Sequence, residues 1–137
     1  MGEVRVKVKL INAFDEKLVR KGQLSKEQVR VYEADALIDS RAVSSVLPVY
    51  VVQQLGLDSV RKERAEYANG SAEDVDVTEP VGLEILGRRV TEETLILGEE
   101  VLIGQTALER MDLLVDCANR RLLPNPAHPD QPVLKIK

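Results

Sequence analysis

The sequence predicts an all-β domain, and three observations carry that expectation. Hydrophobic residues make up 44% of the 137 while aromatics make up 3% and Trp is absent, so the core must be built of Val, Leu and Ile, which favours sheet. Val4, Val6, Val8 and Leu10 alternate with Arg5, Lys7 and Lys9, and Val81, Leu83 and Ile85 alternate again. Period two is the mark of a strand with one buried face. Asn69-Gly70 separates two further strand-like runs, and this dipeptide is the strongest short-range signal for a hairpin turn. A chain of this length predicts a single domain, residues 1–137, with a modest core. Meanders of this kind build barrels or sandwiches.

In chain order, residues 4–10 predict the first strand. From 12 to 27 the pattern gives way to charges around Gly22 and Ser25, which predicts a mobile loop with a helical turn near 14–19. Residues 29–38 resume as a strand that delivers Asp39 to its end, and the chain turns through 40–45. Pro48 suits the first turn of a helix, where a missing N–H costs nothing, and Gly56 suits a left-handed cap after residues 49–55. Residues 61–68 and 73–78 form the hairpin arms around Asn69-Gly70. Gly87-Arg88 turns the next meander, with 90–97 as one returning strand. Gly104 ends a short strand, and Thr106 with Glu109 has capping-box spacing for a helix carrying Leu108 and Met111 on one face. Two short strands flank 117–119, four prolines punctuate the tail from 124 to 132, and 133–136 predict a closing strand.

Composition excludes several function classes. A net charge of -4 without clustered Lys, Arg and aromatics argues against nucleic acid as a partner. One Cys and one His make neither a disulfide nor an ordinary metal site, so no metal and no cofactor are expected. No charged-then-apolar leader and no apolar run near twenty residues occur, which predicts a cytoplasmic protein with no membrane partner.

The candidate chemistry lies in Ala36-Leu37-Ile38-Asp39-Ser40-Arg41-Ala42, an apolar run ending in a carboxylate. Removing a carboxylate from water is costly without compensation, so an acid at the end of a core strand suggests a purpose. On the pattern alone Asp39 reads as a turn residue, because Asp-Ser is ordinary loop chemistry after a strand. The stretch 36–57 nevertheless resembles the catalytic segment of retropepsin-like aspartic peptidases, in which two apolar residues precede Asp, Thr or Ser, Gly and Ala. A second segment, Val101-Leu102-Ile103-Gly104 and the residues after it, resembles the apolar-apolar-Gly strand and short helix late in that fold. With the N-terminal strand, 68–70 and 114–116, the resemblance to small single-domain bacterial members covers nearly the whole chain.

This resemblance implies an acid-protease β-barrel, antiparallel and closed or half-open, with one or two short helices. It implies an aspartic endopeptidase acting on peptide or protein. Carboxylate-driven hydrolysis needs two acids sharing a proton, and this chain offers one motif, so activity implies a symmetric homodimer that pairs Asp39 with its counterpart. Ser40 would bridge across the dyad or close a local turn, and Ala42 and Val43 would pack beneath the loop. Ala68, Asn69, Gly70 and Ser71 fall where the family has its flap, although the sequence equally fits a plain surface hairpin.

Arg41 stands where the motif has Gly, the largest departure. A guanidinium about 4 Å from a carboxylate favours the ionised form by roughly 4 kcal/mol at an effective dielectric of about 20. Placed on the dyad, Arg41 would oppose the shared proton; turned outward, it would bind substrate or solvent. The rival to the peptidase is accordingly a dimer that binds peptide without cleaving it, and a weaker third reading is a purely structural dimer. Asp116 lacks a following Ser-Gly or Thr-Gly and reads as a turn residue, Asp35 as a solvated edge residue, and Glu92-Glu93 and Glu99-Glu100 as solvated turns. Cys117 has no evident activating base, since His128 lies in a Pro-rich tail expected to be exposed.

Overall fold

The computed structural model describes residues 2–136. The first half runs β1 (Arg5–Asn12), α1 (Ala13–Arg20), a 3-10 turn (Lys26–Gln28), β2 (Val31–Ile38), β3 (Val46–Leu47) and α2 (Val49–Leu55). It continues with β4 (Ser59–Glu66), β5 (Ala72–Thr78), β6 (Val81–Ile85), β7 (Arg88–Glu92), β8 (Leu95–Ile96) and β9 (Leu102–Ile103). Last come α3 (Gln105–Met111), β10 (Leu113–Asp116) and β11 (Arg121–Pro124). Nine strands join one curled, half-barrel sheet in the order β4-β5-β8-β3-β9-β2-β1-β6-β7, and β10 with β11 forms a separate hairpin.

The alternation in β1 has the predicted consequence. Val8 and Leu10 are buried while Arg5, Lys7 and Lys9 face water, and the strand lies between β2 and β6. Val8, Leu10, Leu83, Ile103, Leu108 and Met111 belong to one core cluster that α2 and α3 close with Val51, Leu55 and Ala107. Each fully buried aliphatic side chain stabilises the fold by about 1.5–3 kcal/mol. Gly56 adopts the expected left-handed cap at φ 64°, and Pro48 sits one position earlier than expected, as the N-cap of α2.

Residues 12–27 are not a loop with a single turn. They hold α1, whose start is set by Asn12: its Oδ1 accepts the backbone N–H of Asp15 at 2.9 Å, while its Nδ2 donates to the Leu55 carbonyl at 2.7 Å. Asp15 is buried at 4% side-chain exposure and takes the Arg30 guanidinium on both oxygens at 2.9 Å, plus the Arg30 backbone N–H at 3.0 Å. The Arg30 hydrogen bonds outweigh burial and hold the Asp15 carboxyl below its ordinary range. A depressed folded pKa contributes stability that is complete above the unfolded carboxylate value of about 3.9 and is lost as pH falls through the folded value. Asp15→Ala is therefore expected to destabilise the protein by about 2–3 kcal/mol at pH 7 in denaturant titration, the lower end for a broken buried pair because Arg30 is half exposed. The difference from the unaltered protein should shrink as both are acidified below about pH 4.

Five further expectations change. The sheet is mixed, with β2 parallel to β9 and β3 parallel to β8. The predicted strand over 90–97 is two strands, because the chain leaves β6 after Glu92 and crosses to β5 and β3 at Leu95. Buried Thr94 makes that crossing, its N–H donating to Thr78 Oγ1 at 3.1 Å and its carbonyl accepting from the Thr78 N–H at 2.8 Å. Helices number three among the described residues, not one or two. Residues 133–136 form no strand; the tail is pinned instead by Asp112, which accepts from Asn125 at 3.0 Å and Val133 N–H at 3.1 Å and pairs with His128 at 2.6 Å. Buried Arg88 backs this knot by donating to the carbonyls of Met111, Asp112 and His128, so His128 is partly covered rather than exposed.

Candidate active site

Asp39 is the first residue beyond β2, where the strand runs out between β1 and β9. Its N–H donates to the Ile103 carbonyl at 3.0 Å, so the parallel β2–β9 pairing fixes its backbone. Its carbonyl accepts from Ala42 N–H at 3.2 Å and its Oδ1 from Arg41 N–H at 3.0 Å, which folds 39–42 into a tight Asx-type turn. The carboxylate is a quarter exposed, at 25%. It is held, yet open to solvent on one side.

The loop is clamped from below by α3. Gln105 N–H donates to the Ala42 carbonyl at 2.7 Å and Thr106 N–H to the Val43 carbonyl at 3.2 Å. Two of the unpaired N–H groups of a helix start thereby find partners in the loop, and the N-cap is Gly104, not the Thr106 capping box the sequence suggests. A Cβ on Gly104 would stand 2.6 Å from the Ser44 carbonyl oxygen and 2.9 Å from that of Ala42, so only Gly admits this contact. Gly104 N–H reaches Ser45 Oγ at 3.1 Å. Glu92 packs against the same serine, its carboxyl pushed up by burial and pulled back in part by the Ser45 hydroxyl.

The β4–β5 hairpin rises on the other side of a cleft of about 460 Å³. Arg41, Ala42, Val43, Ser44 and Val46 form one wall, Glu63 to Tyr67 with Val75 the other, and Leu95 and Leu97 the back. Ala68, Asn69, Gly70 and Ser71 make the exposed tip beyond it and do not line the cleft. The turn has three loop residues: Gly70, at φ 88°, donates to the Tyr67 carbonyl, and Tyr67 N–H donates to the Ser71 carbonyl at 2.8 Å. Asn69 Oδ1 accepts from the Ser71 N–H and hydroxyl at 2.9 and 2.6 Å. The Tyr67 hydroxyl pairs with Glu73, which raises its pKa.

Arg41 turns outward. Its Nε lies 3.3 Å from Asp39 Oδ1, but the side chain is 92% exposed, so the pair belongs to the class worth about 0.2–1 kcal/mol rather than the 4 kcal/mol of a half-screened contact. Ser40 is exposed, and among the described residues its hydroxyl has no hydrogen-bond partner. Val43 does not pack beneath the loop as the resemblance implies: it is 72% exposed on the cleft wall, because α3 holds this stretch through the carbonyls of Ala42 and Val43 and leaves the side chain outside. Tyr67, Leu95 and Leu97 also line the cleft and were not singled out by sequence. Asp116 is the last residue of β10 rather than a turn residue, and accepts from Asn119 and Arg121 around the turn that follows, while Asp35 is exposed opposite Lys7. Among the described residues no cluster of three or more His, Cys, Asp or Glu is placed to hold a metal, and no helix is long and apolar enough to cross a membrane.

This arrangement, a strand-end Asp in a helix-clamped loop facing a hairpin, defines a retropepsin-like fold. The chain is similar to the retroviral protease-like domain of Ddi1 from Leishmania major, at TM-score 0.59 and 15% identity over 98% of this chain and 96% of that one. It is also similar to EIAV protease complexed with the inhibitor HBY-793, at TM-score 0.52 and 20% identity over 79% of this chain and 86% of that one. No protein-family model matches the chain, and no curated protein matches it.

Proposed function

We propose that the protein is an aspartic endopeptidase that works as a symmetric homodimer, with Asp39 of each subunit forming the catalytic pair. The observation that carries this reading is Asp39 itself, its backbone fixed by Ile103 and its carboxylate 25% exposed, at the start of a loop that α3 clamps and whose residues from Arg41 to Ser44, though not Asp39 or Ser40, line a cleft of about 460 Å³. Two carboxyls meeting across a two-fold axis share one proton, because like charges that close do not both ionise cheaply. The ionised member takes a proton from water as its oxygen attacks the peptide carbonyl carbon. The protonated member hydrogen-bonds the carbonyl oxygen as that oxygen gains charge. Proton transfer to the amide nitrogen then breaks the C–N bond and releases an amine and a carboxylic acid. Ser40, at the exposed edge of the loop, would bridge between the two subunits and hold their loops in register.

A second reading, a dimer that binds peptide without cutting it, is favoured by Arg41 Nε at 3.3 Å from Asp39. Incubation with a degenerate peptide library from acid to neutral pH, with new termini read by mass spectrometry, separates the two. Cleavage is expected from the unaltered protein and not from Asp39→Asn. Absence of cleavage at every pH from a folded dimer would eliminate the peptidase reading in favour of peptide binding.

A further inference from the structure

We propose that Arg41 is a specificity residue that reads a carboxylate on the peptide held in the cleft, either an acidic side chain or a free C-terminus. The inference rests on the cleft being a peptide site. The guanidinium stands at the cleft wall and is tethered only through Nε, leaning on Asp39 Oδ1 at 3.3 Å. Among the described residues its two terminal amino groups meet no acceptor, so a planar pair of donors is left free in solvent at the cleft wall. That fork matches a carboxylate and no neutral peptide group as well.

The other charges around the cleft are mostly spent. Glu63 is paired with Arg61 at 2.8 Å, Arg64 with Asp74 at 3.1 Å, and Glu73 with the Tyr67 hydroxyl. Glu66, on the hairpin wall, has no cationic partner among the described residues and would repel an acid placed near it. A peptide carboxylate is thus drawn to the loop side of the cleft, with its apolar neighbour against Val43, Val46 and Leu95. Since Arg41 is almost wholly exposed, its side chain is free to turn from Asp39 to the ligand without repacking the core.

The test measures binding by fluorescence anisotropy in the Asp39→Asn protein, which leaves peptides intact and keeps an Oδ1 to accept the Arg41 N–H. Three labelled peptides share one apolar core: one with an internal Glu and an amidated end, one with a free C-terminus and no acid, and one with neither. The Glu peptide, the free-terminus peptide or both should bind roughly tenfold tighter than the neutral one, a gain that names the source of the carboxylate and weakens with salt. Adding Arg41→Gln should erase the gain, and Arg41→Lys should retain part of it. A gain that survives Arg41→Gln, or a neutral peptide that binds as tightly as the acidic ones, overturns the assignment while leaving the cleft intact. If none of the three binds, the cleft reading fails and this inference falls with it.

Discussion

Asp39→Asn should lower peptide cleavage by about a thousandfold or more while leaving fold and association unchanged, as positioned acid–base groups contribute roughly 10²–10⁴ each. The separation of the two effects follows from geometry. Asn has the shape of Asp, and its Oδ1 continues to accept the Arg41 N–H that closes the turn at 3.0 Å. The carboxylate is 25% exposed and its one cationic neighbour is in solvent, so no buried charge pair is broken and stability should move by no more than about 0.5 kcal/mol. What disappears is chemical: an amide neither takes a proton from water nor shares one with a second carboxyl. Initial rates on a peptide cleaved by the unaltered protein, beside thermal unfolding of both, measure the two quantities separately. Cleavage that persists in the variant would remove Asp39 from the mechanism.

Gly104→Ala should damage both stability and activity, from a position that has no chemistry of its own. The new methyl group would lie 2.6 Å from the Ser44 carbonyl oxygen, 2.7 Å from its carbon and 2.9 Å from the Ala42 carbonyl oxygen, all of them backbone atoms that cannot swing aside. Either the loop or α3 must retreat, stretching the bonds from Gln105 and Thr106 to that loop. Overpacking of this kind costs about 1–3 kcal/mol, and the position belongs at the upper end because no flexible side chain can absorb the strain. A shift of about 1 Å in a catalytic group can reduce a rate roughly 10²-fold. Denaturant unfolding and initial rates should both show the loss. A variant of unchanged stability and activity would mean that the α3 clamp does not hold the loop.

The fold was legible where the chain's pattern and its packing agree. The β1 alternation, the Gly56 cap and the Asn69-Gly70 hairpin are local statements, and each element formed near its expected bounds. The failures are non-local. The amphipathic character of α1 is masked by charge, and its buried Asp15 is explained by Arg30, fifteen residues on. The crossing at Thr94 depends on Thr78, and period two does not reveal when a strand changes partners. The α3 start looked self-capped through Thr106, but its N–H groups are satisfied by loop carbonyls more than sixty residues away. The tail reads as a strand from Val133 to Ile136 yet follows Asp112, whose left-handed backbone at φ 56° places its carboxylate against Asn125 and His128.

The site shows the same division. Asp39 and its loop were evident from the motif, and the hairpin from its turn. The cleft between them was not, because it is made of side chains from four separate strands and the loops beside them, brought together only by the fold. The weight given to Arg41 also changes with exposure, which no sequence pattern reports: a charge beside the acid is strong if buried and weak if 92% exposed.

The central claim, that one dyad is built from two chains, is tested most directly by mixing. Wild-type and Asp39→Asn chains are unfolded, combined at fixed total concentration and refolded together, and cleavage is measured against the wild-type fraction. If each working site needs Asp39 from both subunits, activity follows the square of that fraction and an equimolar mixture retains about one quarter. A straight line, with about half the activity at the equimolar point, would show that a single chain carries the chemistry and contradict the dimeric dyad.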